Sequence, residues 1–108
     1  MIKEAFEAVK IRRSSVVKAA YNPRIISDDA KERLRKKLKG DGLVMPLVWN
    51  ERTSCLVGGH QRIALMDEEN GYPGHDYELT VAKINVDKRK EKELNDFLNN
   101  VSATGDWD

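Results

Sequence analysis

A glycine pair set between an apolar run and a helix-forming stretch limits this chain more than any other feature. Cys55-Leu56-Val57 reads as a short strand, Gly58-Gly59 as a sharp turn, and His60-Gln61-Arg62 as the opening of a helix that continues through Ile63-Ala64-Leu65-Met66. A strand that turns straight into a helix leaves first-turn amide hydrogens pointing at whatever lies in front, which suits an anion. Two glycines let the backbone approach a ligand with no Cβ in the way. Arg62 can fork onto phosphate oxygens, and His60 and Gln61 can donate or accept. A phosphate-bearing partner is the first functional expectation. Its rival is a chain that merely changes direction here.

At 108 residues, 40% apolar and 34% charged, the chain has the size and balance of one domain, residues 1–108, with a single modest core. One cysteine makes no internal disulfide, and His60 and His75 are not spaced like metal ligands, so no metal site and a reducing, cytoplasmic compartment are expected. No apolar stretch approaches the ~18 to 20 residues that span a bilayer. The start lacks a secretory apolar core, so no membrane role is expected. A formal net charge of +1 hides local imbalance: basic residues crowd positions 31 to 39 and 88 to 92, and acids crowd Asp67-Glu68-Glu69. Patches of one sign steer polyanions, although such runs are also ordinary solvated faces.

Near the start, Val9 and Ile11 alternate with Lys10 and Arg12 as in a half-buried strand, while Ile2, Phe6 and Val9 also fit one helical face; residues 1–7 read as an N-terminal extension. Residues 14–24 read as a loop ending in Asn22-Pro23-Arg24. Ser27 caps a helix with Asp28 and Asp29 at its positive end, a narrow stripe of Ala30, Leu34 and Leu38, an exposed basic face and Gly40 as terminator. Leu43 to Trp49 is a dense apolar run in which Pro46 either opens the strand or marks an edge; Asn50 to Ser54 turns it back into Cys55-Leu56-Val57. The helix after the glycine pair should stop at Asn70-Gly71. Tyr77 to Val86 is β-rich, with apolar residues on both faces, implying a bulge or cover on both sides. Asp87 caps a last helix whose Leu94, Phe97, Leu98 and Val101 form a core stripe. The fold class expected is α+β: a small mixed β-sheet with about three helices.

Three boxes in order, Asn22-Pro23-Arg24, Gly58-Gly59-His60-Gln61-Arg62 and Asn99-Asn100 before Gly105-Asp106-Trp107-Asp108, resemble the ParB/sulfiredoxin superfamily over roughly residues 8 to 108. The chain is most similar to the ParB-like "nuclease" domains of phages and mobile elements. The resemblance favours strand over helix for residues 8–12 and implies a ParB N-terminal/sulfiredoxin-like fold. It also implies a nucleotide site for a nucleoside triphosphate, CTP or ATP, with DNA as partner. Arg24, Gly58, Gly59, His60, Gln61, Arg62, Asn99 and Asn100 are then the phosphate- and nucleotide-binding candidates. His60 stands where sulfiredoxins carry their reactive cysteine, so sulfinic-acid reduction is not expected. Asn99 and Asn100 stand where ParB proteins carry Glu and Asn. Neutral amides are poor ligands for a hard divalent ion, which argues against a strong Mg2+ site and against triphosphate hydrolysis; capping of the helix end is their structural alternative.

The basic helix adds Arg33, Lys36 and Lys37 as DNA-contact candidates. A helix end contributes roughly 0.3 to 1 kcal/mol, up to ~2 when partly buried, and a charge-assisted bond from Arg62 about 1.5 to 3. Micromolar affinity needs about 8 kcal/mol. Base or sugar contacts must therefore be added, from a floor around Tyr21, Val48, Trp49 and Val57, where Trp49 either stacks on a base or packs the hairpin. His60, with an intrinsic pKa near neutrality, is the candidate catalytic acid or base, against a histidine that simply hydrogen-bonds backbone or phosphate. Metal-dependent nucleases need clustered carboxylates, and Asp67, Glu68 and Glu69 cannot all share one helical face. The readings carried forward are a nucleotide-binding, DNA-associated domain, a DNA nuclease, and an interaction module that has lost its ligand.

Overall fold

The structure, a computed structural model, describes residues 1–18 and 26–104, and the side chains of these up to 98. It is α+β, as expected: a five-stranded mixed sheet and three helices. In chain order the elements are β1 (Glu7–Arg12), a 3-10 turn (Arg13–Ser15), β2 (Val17–Lys18), α1 (Asp28–Asp41), β3 (Leu47–Asn50), β4 (Cys55–Gly58), α2 (His60–Asn70), β5 (Glu78–Ile84) and α3 (Lys88–Thr104).

The sheet order is β1-β5-β3-β4-β2. β1 pairs with β5 and β3 with β4 antiparallel, whereas β3–β5 and β2–β4 are parallel. β3 begins at the residue after Pro46 and lies between two partners, so the proline opens a central strand instead of marking an edge. β5 is also central. Its Val81 and Ala82 are both buried and its pairing with β1 runs without interruption, so it is covered on both faces and needs no bulge.

The core gathers on one side, where Val16, Leu47, Leu56, Ile63, Leu79 and Val81 form a buried cluster with Val9, Ile11, Trp49 and Met66 packed against it. Each fully buried aliphatic side chain there contributes about 1.5 to 3 kcal/mol. Val9 and Ile11 turn inward from β1 while Met1, Ile2 and Phe6 are exposed, which decides the N-terminal ambiguity for a strand.

Three expectations are corrected. Residues 14–24 are not loop throughout: Val17 and Lys18 pair with Cys55 and Leu56, and Val17 N–H donates to Ser54 O. α1 runs past Gly40 to Asp41 and is closed by Gly42, whose φ of 80° only glycine takes easily; the Ser27 cap itself stands, its Oγ accepting from Ala30 N at 3.1 Å. The stripe expected to bury α3 is only partly buried. Leu94 and Leu98 are half-buried, Phe97 is 62% exposed, the fully buried residues among the described side chains of α3 are Glu91 and Asn95, and the side chain of Val101 lies outside the described residues. A polar partner set beneath α3, described below, replaces the apolar seam that periodicity implies. Gly71 closes α2 in the left-handed region, as the sequence indicates.

Candidate functional site

The pairing of β3 with β4 slips between Val48↔Gly58 and Trp49↔Leu56, a bulge at the end of β4. Because opposed residues share a face, the slip moves Gly58 from the core side to the α3 side of the sheet. A Cβ on Gly58 would lie 3.1 Å from Leu98 Cδ1, so glycine here is what lets α3 pass close to the strand end. Gly59 follows with φ 94° and ψ 26° and serves as N-cap of α2 without any side chain to offer its amides. A Cβ on Gly59 would collide with Leu47 Cδ2 and stand 3.2 Å from Arg62 Nη2. Both glycines therefore have an internal reason to be glycine. The expected turn between strand and helix is present, and its tightness is set by Leu47 and Leu98.

Arg62 is 7% exposed, and its Nη1 donates to the carbonyl of Met45 at 2.8 Å. The guanidinium thus folds back along the turn and ties the 42–46 connection to the start of α2. His60 and Gln61 are half-buried in the same first turn. α3 brings Asn99 and Asn100 to this end of the molecule, since they follow Leu98 directly; they lie inside the helix, which continues to Thr104, so they do not cap its end. Their side chains, and Tyr21, Arg24 and the Gly105-Asp106-Trp107-Asp108 box, lie outside the described residues. Val57 is fully buried and Val48 half-buried. Trp49 packs against the core and donates Nε1–H to Ser54 O at 2.9 Å, the hairpin role of its two readings. Arg33, Lys36 and Lys37 are exposed on α1, away from the turn in sequence and carried by a different element; Lys37 pairs with Asp41 at 3.2 Å.

Two buried polar clusters were not anticipated. At the far end of α2, Arg13, 6% exposed, grips Asp67 with Nε at 2.8 Å and Nη2 at 3.0 Å and donates Nη1 to Val16 O at 2.9 Å. Its Cζ sits 4.3 Å from the Tyr72 ring centre, and Tyr77 Oη donates to Asp67 Oδ1 at 2.6 Å. Burial, then the hydrogen bond to Asp67, push the Tyr77 phenol well above its ordinary pKa, so it stays a donor. Asp67 faces this cluster while Glu68 and Glu69 face α1, as a helical face too narrow for all three requires.

Beneath α3, the fully buried Glu91 accepts from Asn50 Nδ2 at 2.8 Å and from Thr53 Oγ1, while Asn50 also bridges to the Val86 backbone. Fully buried Asn95 follows one turn later. A lone Asn closing the apolar run of β3 was the available sign of the first pairing. Among the described residues no group of three or more His, Cys, Asp and Glu side chains is arranged to hold a metal ion, and no helix is long and apolar enough to cross a membrane.

No family model matches the sequence, and no curated protein matches it. Among solved structures, the chain is similar to a Pnob8-like ParB-N domain at a TM-score of 0.65 and 19% identity, over 88% of this chain and 36% of that one. The likeness is one of fold: the sheet and helices above have the ParB-N architecture, and the chain spans little more than a third of the protein it resembles.

Proposed function

We propose that this ParB-like domain binds the phosphates of a nucleoside triphosphate at the 58–62 turn and associates with DNA. The observation that carries the reading is the head of α2: a left-handed glycine cap that supplies no side chain, with the Arg62 guanidinium folded along it, on a ParB-N architecture. Support comes also from α3, which passes Gly58 and carries Asn99 and Asn100 to the same end. In this reading Arg62, Gln61 and His60 meet phosphate oxygens, Arg24 joins them from the first box, and the amides of Asn99 and Asn100 complete the contact. A Mg2+ ion would arrive on the triphosphate, not in a carboxylate cage. His60 is a phosphate donor here, with the nuclease role left to assay.

Calorimetry with CTP, ATP, GTP and UTP, each with and without magnesium, tests the reading. Binding in the micromolar range by one of them, weakened about 10- to 100-fold in Arg62→Ala, is the expected result, equivalent to the ~1.5 to 3 kcal/mol of a charge-assisted bond. Equal binding by Arg62→Ala would remove Arg62 from the site. No binding to any of the four nucleotides would leave a module that uses the fold without the ligand. Incubation of plasmid with magnesium or manganese, wild type beside His60→Ala, decides the nuclease alternative by whether wild type cuts and the variant does not.

A further inference from the structure

Helix α1 carries two basic rows. Lys31, Arg35 and Lys39 recur every four residues down one side, while Arg33, Lys36 and Lys37 occupy the other. The inner row meets the acids of α2. Lys31 Nζ lies 3.0 Å from Glu68 Oε1, Arg35 binds both Glu68 and, at 2.7 Å, Glu32, and Lys39 Nζ lies 3.4 Å from Glu69 Oε1. α1 has no buried residue at all, and the side chains of these pairs all reach solvent, from 28% exposed at Arg35 to 61% at Lys39. Hydrogen bonds from Lys31 and Arg35 hold the Glu68 carboxyl below its ordinary pKa, so at neutral pH it remains a full negative charge.

We propose that Glu68 and Glu69 are internal stand-ins for phosphate, withholding the inner basic row of α1 until the backbone of duplex DNA displaces them. Exposed ion pairs are worth only ~0 to 1 kcal/mol each, so exchanging a carboxylate for a phosphate oxygen meets little resistance. The cations of the inner row recur about every 6 Å along the helix, four residues at a rise of 1.5 Å, and present a line of charge to a polyanion. Before exchange the domain offers Arg33 and Lys36, with Lys37 paired to Asp41 on its own helix; after it, Lys31, Arg35 and Lys39 as well. The inference rests on the DNA association proposed above and adds which cations are masked, and by what.

The test is fluorescence anisotropy of a labelled, random-sequence DNA duplex over a potassium chloride series, using the full chain. Glu68→Gln/Glu69→Gln is compared with wild type and with Glu4→Gln/Glu78→Gln, two exposed acids away from α1 whose loss makes the same change in net charge. The Glu68/Glu69 variant should bind on the order of tenfold tighter at low salt. Its log-log salt slope should equal that of wild type, because once the acids are displaced DNA meets the same cations in both complexes. The control should gain clearly less affinity than the Glu68/Glu69 variant. Binding by the Glu68/Glu69 variant alone would show that DNA does not displace the acids, and overturns the inference. A wild-type slope shallower than the variant's, which would mean that the acids stay in place, or a gain in affinity matched by the control, overturns the inference while the DNA association stands. Absence of binding by all three proteins at low salt overturns both.

Discussion

Two arginines are buried to nearly the same degree, Arg13 at 6% exposure and Arg62 at 7%, one beside each end of α2, yet they are used differently. Arg13 forks onto a carboxylate, lies over an aromatic face and reaches a carbonyl, so its charge is tied into the fold between the 3-10 turn, α2 and the loop that follows α2. Arg62 holds the Met45 carbonyl across a 17-residue separation and lies against a glycine at the positive end of a helix. Equal burial thus goes with different partners: a carboxylate for Arg13, and a backbone carbonyl beside a glycine turn for Arg62, the seat at which phosphate binding is proposed. A bidentate carboxylate makes a lock, whereas a turn of glycines at a helix head is a seat that phosphate oxygens can share.

Removing the carboxylate from the first seat should have the largest effect. Asp67→Asn leaves Arg13 buried without its ionised partner and is expected to lower stability by about 3 to 5 kcal/mol in chemical denaturation. A loss below ~1 kcal/mol would show that Arg13 is not a lock. At the other seat, Gly59→Ala forces a side chain into left-handed backbone and against Leu47, for an expected loss of about 2 to 4 kcal/mol; a neutral result would mean that the turn relaxes freely. Tyr77→Phe deletes one hydrogen bond to Asp67 and should cost about 1.5 to 3 kcal/mol, with nucleotide affinity unchanged if the two ends of α2 serve separate purposes.

The smallest effect is one of pH. Glu68 has a folded pKa below its unfolded value of about 4.3. Its contribution is therefore complete above that value and lost as pH falls through the lower folded one. Melting temperatures from pH 7 down to about pH 3 should fall slightly less for Glu68→Gln than for wild type, and an identical fall would show that the α1–α2 pairs carry no stability.

What could be read in advance was local chemistry. The strand-turn-helix at 55–66, the Ser27 cap and the Gly71 stop each depend on residues a few positions apart, and each is found where the pattern places it. β2 could not be read because two residues carry no periodicity; they are a strand only because Cys55 and Leu56 lie alongside. The choice of Gly42 over Gly40 likewise has no local cause, since either glycine could close α1. The underside of α3 misled for a related reason: Glu91 and Asn95 share the face of Leu94 and Leu98, and Asn50 and Thr53, remote in sequence, let the buried Glu91 sit there while Phe97 turns outward. At the candidate site the residue types were legible and their seating was not. The bond from Arg62 to the carbonyl of Met45, on a connection 17 residues away, has no sign in the local sequence.

Nitrogen-15 correlation spectra recorded while a nucleoside triphosphate is titrated in test the central claim most directly. The largest amide shifts should fall on Gly58 to Ile63, with residues around Arg13, Asp67 and Tyr77 unmoved. Shifts centred on the Arg13 end of α2, or spread evenly with none at the glycine turn, would contradict it.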